Sequence, residues 1–313
     1  MTTHFTELAQ RAATDGVVSP QELLDLRRQG WGDGQITREE AEAVFAINNV
    51  LNERDDEWTD FMVEAVGEFV LNATQPRLQC SEEEADWVIA QVDHDGVVES
   101  MAELETIVRI IERAENTPEK LKNYVLEQVE REVLSGTGPT RCGGELSATH
   151  ISAAEVRILR RVIFASGGHG PAAVSRFDAE MLFRLKDETL AEENAQEWDD
   201  LFLDGVSNFM KGFVLDGAQI SHERAVELED FMADTSVNVG RFIAKAAKEA
   251  PQVANHLGKV FGKRESAPGY EERAAEGAKV TDFEQDWLEK MVDADGEVDE
   301  LERRLIARII DEG

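Results

Sequence analysis

The strongest constraint on the fold is internal repetition: the same landmarks occur twice, in the same order. Ser19-Pro20-Gln21-Glu22-Leu23-Leu24-Asp25-Leu26-Arg27-Arg28 returns as Ser152-Ala153-Ala154-Glu155-Val156-Arg157-Ile158-Leu159-Arg160-Arg161, at an offset of 133. Ile36-Thr37-Arg38 with Glu42 and Phe45 returns as Val174-Ser175-Arg176 with Glu180 and Phe183, at an offset of 138. Glu57-Trp58-x-Asp60 returns as Glu197-Trp198-x-Asp200, at an offset of 140. Asp86-Trp87 and Val92-Asp93-His94-Asp95-Gly96 return as Asp286-Trp287 and Val292-Asp293-Ala294-Asp295-Gly296, at an offset of 200. Offsets that only grow describe a tandem duplication with insertions in the second copy. The folding unit is then about half the chain.

That unit reads as helical. Apolar residues recur at three and four positions, as in Phe61, Val66, Phe69 and Val70 or Leu121, Val125, Val129 and Val133. Ser19, Thr37 and Ser81 each precede acidic residues as helix caps. Strict apolar–polar alternation is scarce. The expected class is all-α: two tandem helical bundles, with a helical insertion in the second. Residues 1–134 form the first repeat, the Gly-rich stretch 135–144 a linker, and 145–313 the second repeat.

The jump in offset from 140 to 200 places the insertion at 235–279. Between Arg241 and Arg264 it holds six bases and one acid, with Phe242, Ala246, Val253, Leu257, Val260 and Phe261 at helical spacing. The expectation is that this basic amphipathic piece packs on the protein's own acidic surface. The alternative is peripheral contact with a partner or an anionic lipid through 241–264.

Charge narrows the function. Lys and Arg total 32 and Asp and Glu 65, a formal net charge of −33. Such a surface repels nucleic acid and disfavours anionic membranes. The chain begins without an apolar signal core, and its apolar runs are too short to span a bilayer. Cys80 and Cys142 belong to no C-x-x-C pair, so they read as two reduced thiols or one opportunistic disulfide. A bacterial, cytoplasmic protein is expected. No phosphate loop, nucleophile elbow or H-E-x-x-H motif is present. The adjacent acids Glu83/Glu84 and Asp199/Asp200 read as solvated helix faces, so a non-enzymatic protein is expected.

One motif could carry chemistry. Asp93-His94-Asp95-Gly96-Val97-Val98 followed by Glu103 matches Asp293-Ala294-Asp295-Gly296-Glu297-Val298 followed by Glu302. Weaker echoes are Asp15-Gly16 and Asp33-Gly34. Glycine frees the backbone for a sharp turn, Val98 or Val298 pins it to the core, and the Glu lies at the start of the next helix. The spacing to Glu302 matches the second half of an EF-hand loop, whose hard oxygens suit Ca²⁺ or Mg²⁺, and Glu103 stands one residue further on. The first loop ligand is missing, because Gln91 and Met291 occupy its place. Two readings stand: a helix-capping acidic turn, or a divalent-ion site with Asp93, Asp95, Glu103, Asp293, Asp295 and Glu302 as ligands.

The helix–Asp-Gly-turn–helix pattern resembles the tellurite-resistance TerB-like family. The resemblance is carried best by Met291–Val298 and Glu302 running into Arg303-Arg304-Leu305-Ile306-Ala307-Arg308-Ile309-Ile310. It implies a compact all-α bundle in each repeat, acidic turns, and a role in metal-dependent stress responses. Together these readings suggest a binding or regulatory protein, with calcium or magnesium at the acidic turns and a basic protein as partner. The alternative is a metal-free acidic interaction scaffold or DNA mimic.

Overall fold

The computed structural model describes residues 5, 7, 11–12, 14–30, 35–93, 96–141, 149–165, 174–210, 282–292 and 298–312. The expected insertion at 235–279, Cys142, Asp95, Asp293 and Asp295 lie outside the described residues. Among those described, the chain is all-helical, as expected. The α-helices whose bounds are described are α1 (Pro20–Gly30), α2 (Arg38–Val50), α3 (Asp56–Asn72), α4 (Glu82–Val92), α5 (Met101–Arg113), α6 (Glu119–Ser135), α7 (Ala153–Ile163), α8 (Arg176–Glu188), α9 (Glu197–Met210), α10 (Asp282–Val292) and α11 (Glu300–Glu312). An isolated bridge joins Gln79 and Asn116. No helix among the described residues is long and apolar enough to cross a membrane.

Capping sets where the helices begin. Thr37 and Glu40 form a reciprocal capping box at α2, and Ser81 and Glu84 form one at α4. Ser19 and Glu22 exchange the same bonds at α1. Each box satisfies backbone N–H groups that a helix start leaves without partners. The sequence marked these three starts. Ser100–Glu103, Ser152–Glu155 and Ser175–Asp178 add boxes at α5, α7 and α8.

Helix by helix, the two halves follow one plan. α1 and α7 both have 11 residues, α2 and α8 13, α4 and α10 11, and α5 and α11 13, so the register of the repeated landmarks is kept. Side-chain geometry repeats too. Trp87 sits edge-on to Phe45 at 5.8 Å and to Phe69 at 4.9 Å, while Trp287 meets Phe183 at 5.7 Å and Phe209 at 4.7 Å. Its indole N–H donates to Glu42 in the first half and to Glu180 in the second, at 3.3 Å each. T-shaped aromatic pairs of this kind add to the burial free energy of large rings.

In the first half α3 packs on α1, α2 and α5; in the second α9 packs on α7, α8 and α11. α6 belongs to both, since it lies against α4 and α5 on one side and α7 and α8 on the other. The buried apolar residues form one core running from Phe5 to Leu305. Charge pairs lock the seam. Arg161 of α7 reaches Glu105 and Glu112 of α5 with four bonds of 2.7 Å, and Lys122 of α6 reaches buried Asp178 at 2.6 Å. The Gly-rich stretch at 135–144 begins by ending α6. Gly136 adopts a left-handed conformation at φ 71°, which stops the helix. Pro139–Arg141 then form a short 3-10 turn whose Arg141 is buried against Glu155, with Nε to Oε1 at 2.8 Å. This part of the stretch is therefore packed into the seam, with 142–148 outside the described residues.

Candidate functional site

The acidic turn of the first half starts where α4 ends. Asp93 caps that end, its backbone N–H bonding the Ile89 carbonyl, and its carboxylate accepts the Gly96 N–H. Gly96 has φ 86°, a conformation an L side chain rarely adopts, which accounts for glycine at this position. Gly16, in the weaker echo, has φ 71°. The Gly96 carbonyl is taken up by α6: Gln128 donates to it at 3.0 Å, and the Arg131 guanidinium also donates to it. Gln128 in turn accepts the Val98 N–H at 3.3 Å. Asp93 is exposed. Behind the turn, burial and then the Asp93 charge push the Tyr124 hydroxyl up to about 12, with Arg131 opposing.

Glu103 and Glu302 serve the helix starts. Glu103 is buried, and its Oε2 accepts the Ser100 N–H at 2.9 Å and the Glu99 N–H at 3.2 Å. Its Oε1 accepts from Asn48 at 3.0 Å. Glu302 accepts the Asp299 N–H at 3.0 Å, and Asp299 returns the favour by accepting the Glu302 N–H at 2.9 Å. The other Glu302 oxygen lies 2.8 Å from the Lys186 ammonium. Of the six sequence-predicted ligands, the structure thus describes Asp93 at the turn and Glu103 and Glu302 in buried helix-start networks. Among the described residues no group of three or more His, Cys, Asp or Glu is arranged to hold a metal ion.

The residues these glutamates meet are buried polar positions that motif reasoning passed over. Asn48 and Lys186 occupy the same place in the two halves. Each ends a core stripe, Ala41-Val44-Phe45-Asn48 and Ala179-Leu182-Phe183-Lys186. In the first half the node is uncharged at its centre. Fully buried Asn48 donates to Glu103 and Ser100, and its carbonyl oxygen accepts from the Trp58 indole at 3.1 Å and from Arg54 at 3.2 Å. In the second half it is ionic. Lys186, 1% exposed, pairs with Glu302, Asp299 and Asp187. Burial works against its charge, yet these three carboxylates hold its pKa above the ordinary lysine value. A polar residue closing an apolar stripe was the available sequence signal, and its partners were not.

The seam carries a second polar cluster. Glu132 accepts the Thr140 N–H at 2.9 Å, and the Thr140 hydroxyl bonds both Glu132 and Glu155. Burial pushes Glu132 above the usual carboxylate value. Cys80 is a buried free thiol, raised above its ordinary value by burial. Comparison with protein-family models, curated protein sequences and solved structures finds no match for the chain.

Proposed function

We propose that the chain is a non-enzymatic binding protein: an acidic helical scaffold that recruits a basic protein partner. The observation that carries this reading is the segregation of its acid. The buried carboxylates Glu103, Asp178 and Glu302 are engaged inside the fold by caps, amides and ammonium groups. The exposed ones cluster at helix starts, with Asp56, Glu57 and Asp60 on α3 and Glu197 and Asp200 on α9. Such clusters raise the local concentration of a cationic partner and orient its approach. The test is affinity capture from a native extract at low and at raised ionic strength. Recovery of basic proteins that salt releases supports the reading. Recovery of neutral or acidic proteins that salt does not release overturns it.

A second reading keeps the TerB-like resemblance: Ca²⁺ or Mg²⁺ held at the Asp-Gly turns. Its support is the exposed Asp93 carboxylate on a turn that glycine shapes. Here the expected outcome is a higher melting temperature with calcium than with chelator, lost in Asp93→Asn. An unchanged melting temperature removes the ion.

A further inference from the structure

The two halves differ in what covers their last helices. In the first, α6 and α7 close over the outer sides of α4 and α5, and Val88, Val98, Ile107, Ile110 and Ile111 are buried to 1% exposure or less. Their counterparts in the second half are less covered, two of them exposed and three half-buried. Leu288, Ile306 and Ile309 are half-buried, Val298 is 41% exposed and Ile310 72%. Among the described helices, α9 is the one packed closely on α11. The result is an apolar strip on α10 and α11 at positions equivalent to those that α6 and α7 cover in the first half.

The first half also states the charge of a suitable occupant. Lys120 of α6 sits 2.7 Å from Glu82 and 2.6 Å from Asp86. α10 carries Asp282 and Asp286 at the matching positions, and Asp286 is exposed. A second copy of the chain, stacked head-to-tail as α7 stacks on α5, fits poorly. Arg28 would stand where Arg161 clamps Glu105, and it would face Arg304 in place of that glutamate. Asp25 and Gln29 would replace the buried Ile158 and Val162.

We propose that the open face of α10 and α11 is a docking groove for a lysine-bearing amphipathic helix of a partner protein. The inference rests on the scaffold reading and gives its site and the partner's chemistry. The helix lays its apolar stripe on Val298, Ile306 and Ile310 and brings a lysine to Asp286, in the helix-in-groove mode.

The probe is a fluorescent peptide with the α6 sequence, residues 118–136, titrated into the full chain by anisotropy. Saturable binding is expected, weakened about tenfold or more by Ile310→Asp and by Asp286→Lys. Both positions are exposed, so both variants should melt like the parent. No saturable binding, or binding that ignores both substitutions, overturns the proposal. So does a chain that dimerises through this face and becomes monomeric with Ile310→Asp. Hydrogen exchange on the free full chain covers the remaining occupant: if Ile310→Asp speeds exchange within 241–264, the groove belongs to the chain's own basic segment and the proposal fails. If salt-sensitive capture of basic proteins survives while peptide binding is absent, the groove alone is wrong. If that capture is absent too, the scaffold reading falls with it.

Discussion

Lys186 shows how one position can organise a buried site. Its buried ammonium neutralises buried Glu302 and partly buried Asp299, and removing it strands their charge. Lys186→Met should therefore cost about 3–5 kcal/mol, read by denaturant melts. Lys186→Asn combined with Asp299→Ser rebuilds the pattern of Asn48 and Ser100, and should recover more than half of that loss. Asp299 adds a pH dependence. Burial disfavours its charge, but Lys186 and the N–H groups of Glu302 and Leu301 hold its pKa below the ordinary 3.8. A lowered folded value stabilises the fold above the ordinary carboxylate range, and that stability is lost as the pH falls through the lowered value. Asp299→Asn should melt below the parent at neutral pH, and the gap should close below about pH 4. Thermal melts across that range check it.

Between elements, the seam helices α5, α6, α7 and α8 carry the interest. Arg161 holds Glu105 and Glu112 at once, and its hydrogen bond keeps Glu112 below the usual carboxylate value despite partial burial. Arg161→Ala should cost about 1–2 kcal/mol, since charge-assisted pairs at this partial burial exceed surface ion pairs. Double-mutant cycles with Glu105→Gln and Glu112→Gln apportion the loss. The helix starts were legible because Ser19, Thr37 and Ser81 place their acids within three residues. The Trp87 and Trp287 cages were legible in part, because Trp87 and Phe45 return as Trp287 and Phe183 among the repeated landmarks. The seam was not. α6 reads as one more amphipathic helix, and nothing local says that it faces both halves. Arg141 hid among glycines that suggested a linker, because its partner Glu155 belongs to another helix. As metal ligands, Glu103 and Glu302 would have to reach back to the Asp-Gly turn. Ser100 and Asp299, three residues upstream, offer the nearer partner, and the capping box forms there.

At the scale of the molecule, one core and a shared helix tie the halves together. Unfolding should follow a single transition, with near- and far-ultraviolet circular dichroism coinciding. Two separated transitions would show that the halves melt apart. The surface acid argues for a salt response as well. With a net charge of −33, self-repulsion opposes compaction, and raising NaCl from about 0.05 to about 0.5 M should raise the melting temperature by screening it. The different centres of the two polar nodes bear on how the chain finds its fold. Two halves with matching helices offer a folding chain wrong partners of nearly the right shape, the usual hazard of repeated sequences. If α8 closed on α5, Lys186 would meet Ser100 and Glu103, while α11 would bury Asp299 with no ammonium to meet it. The Asn48–Ser100 and Lys186–Asp299 pairings thus act as matched keys, since each α2-type helix finds in its own α5-type helix the partner that balances its charge.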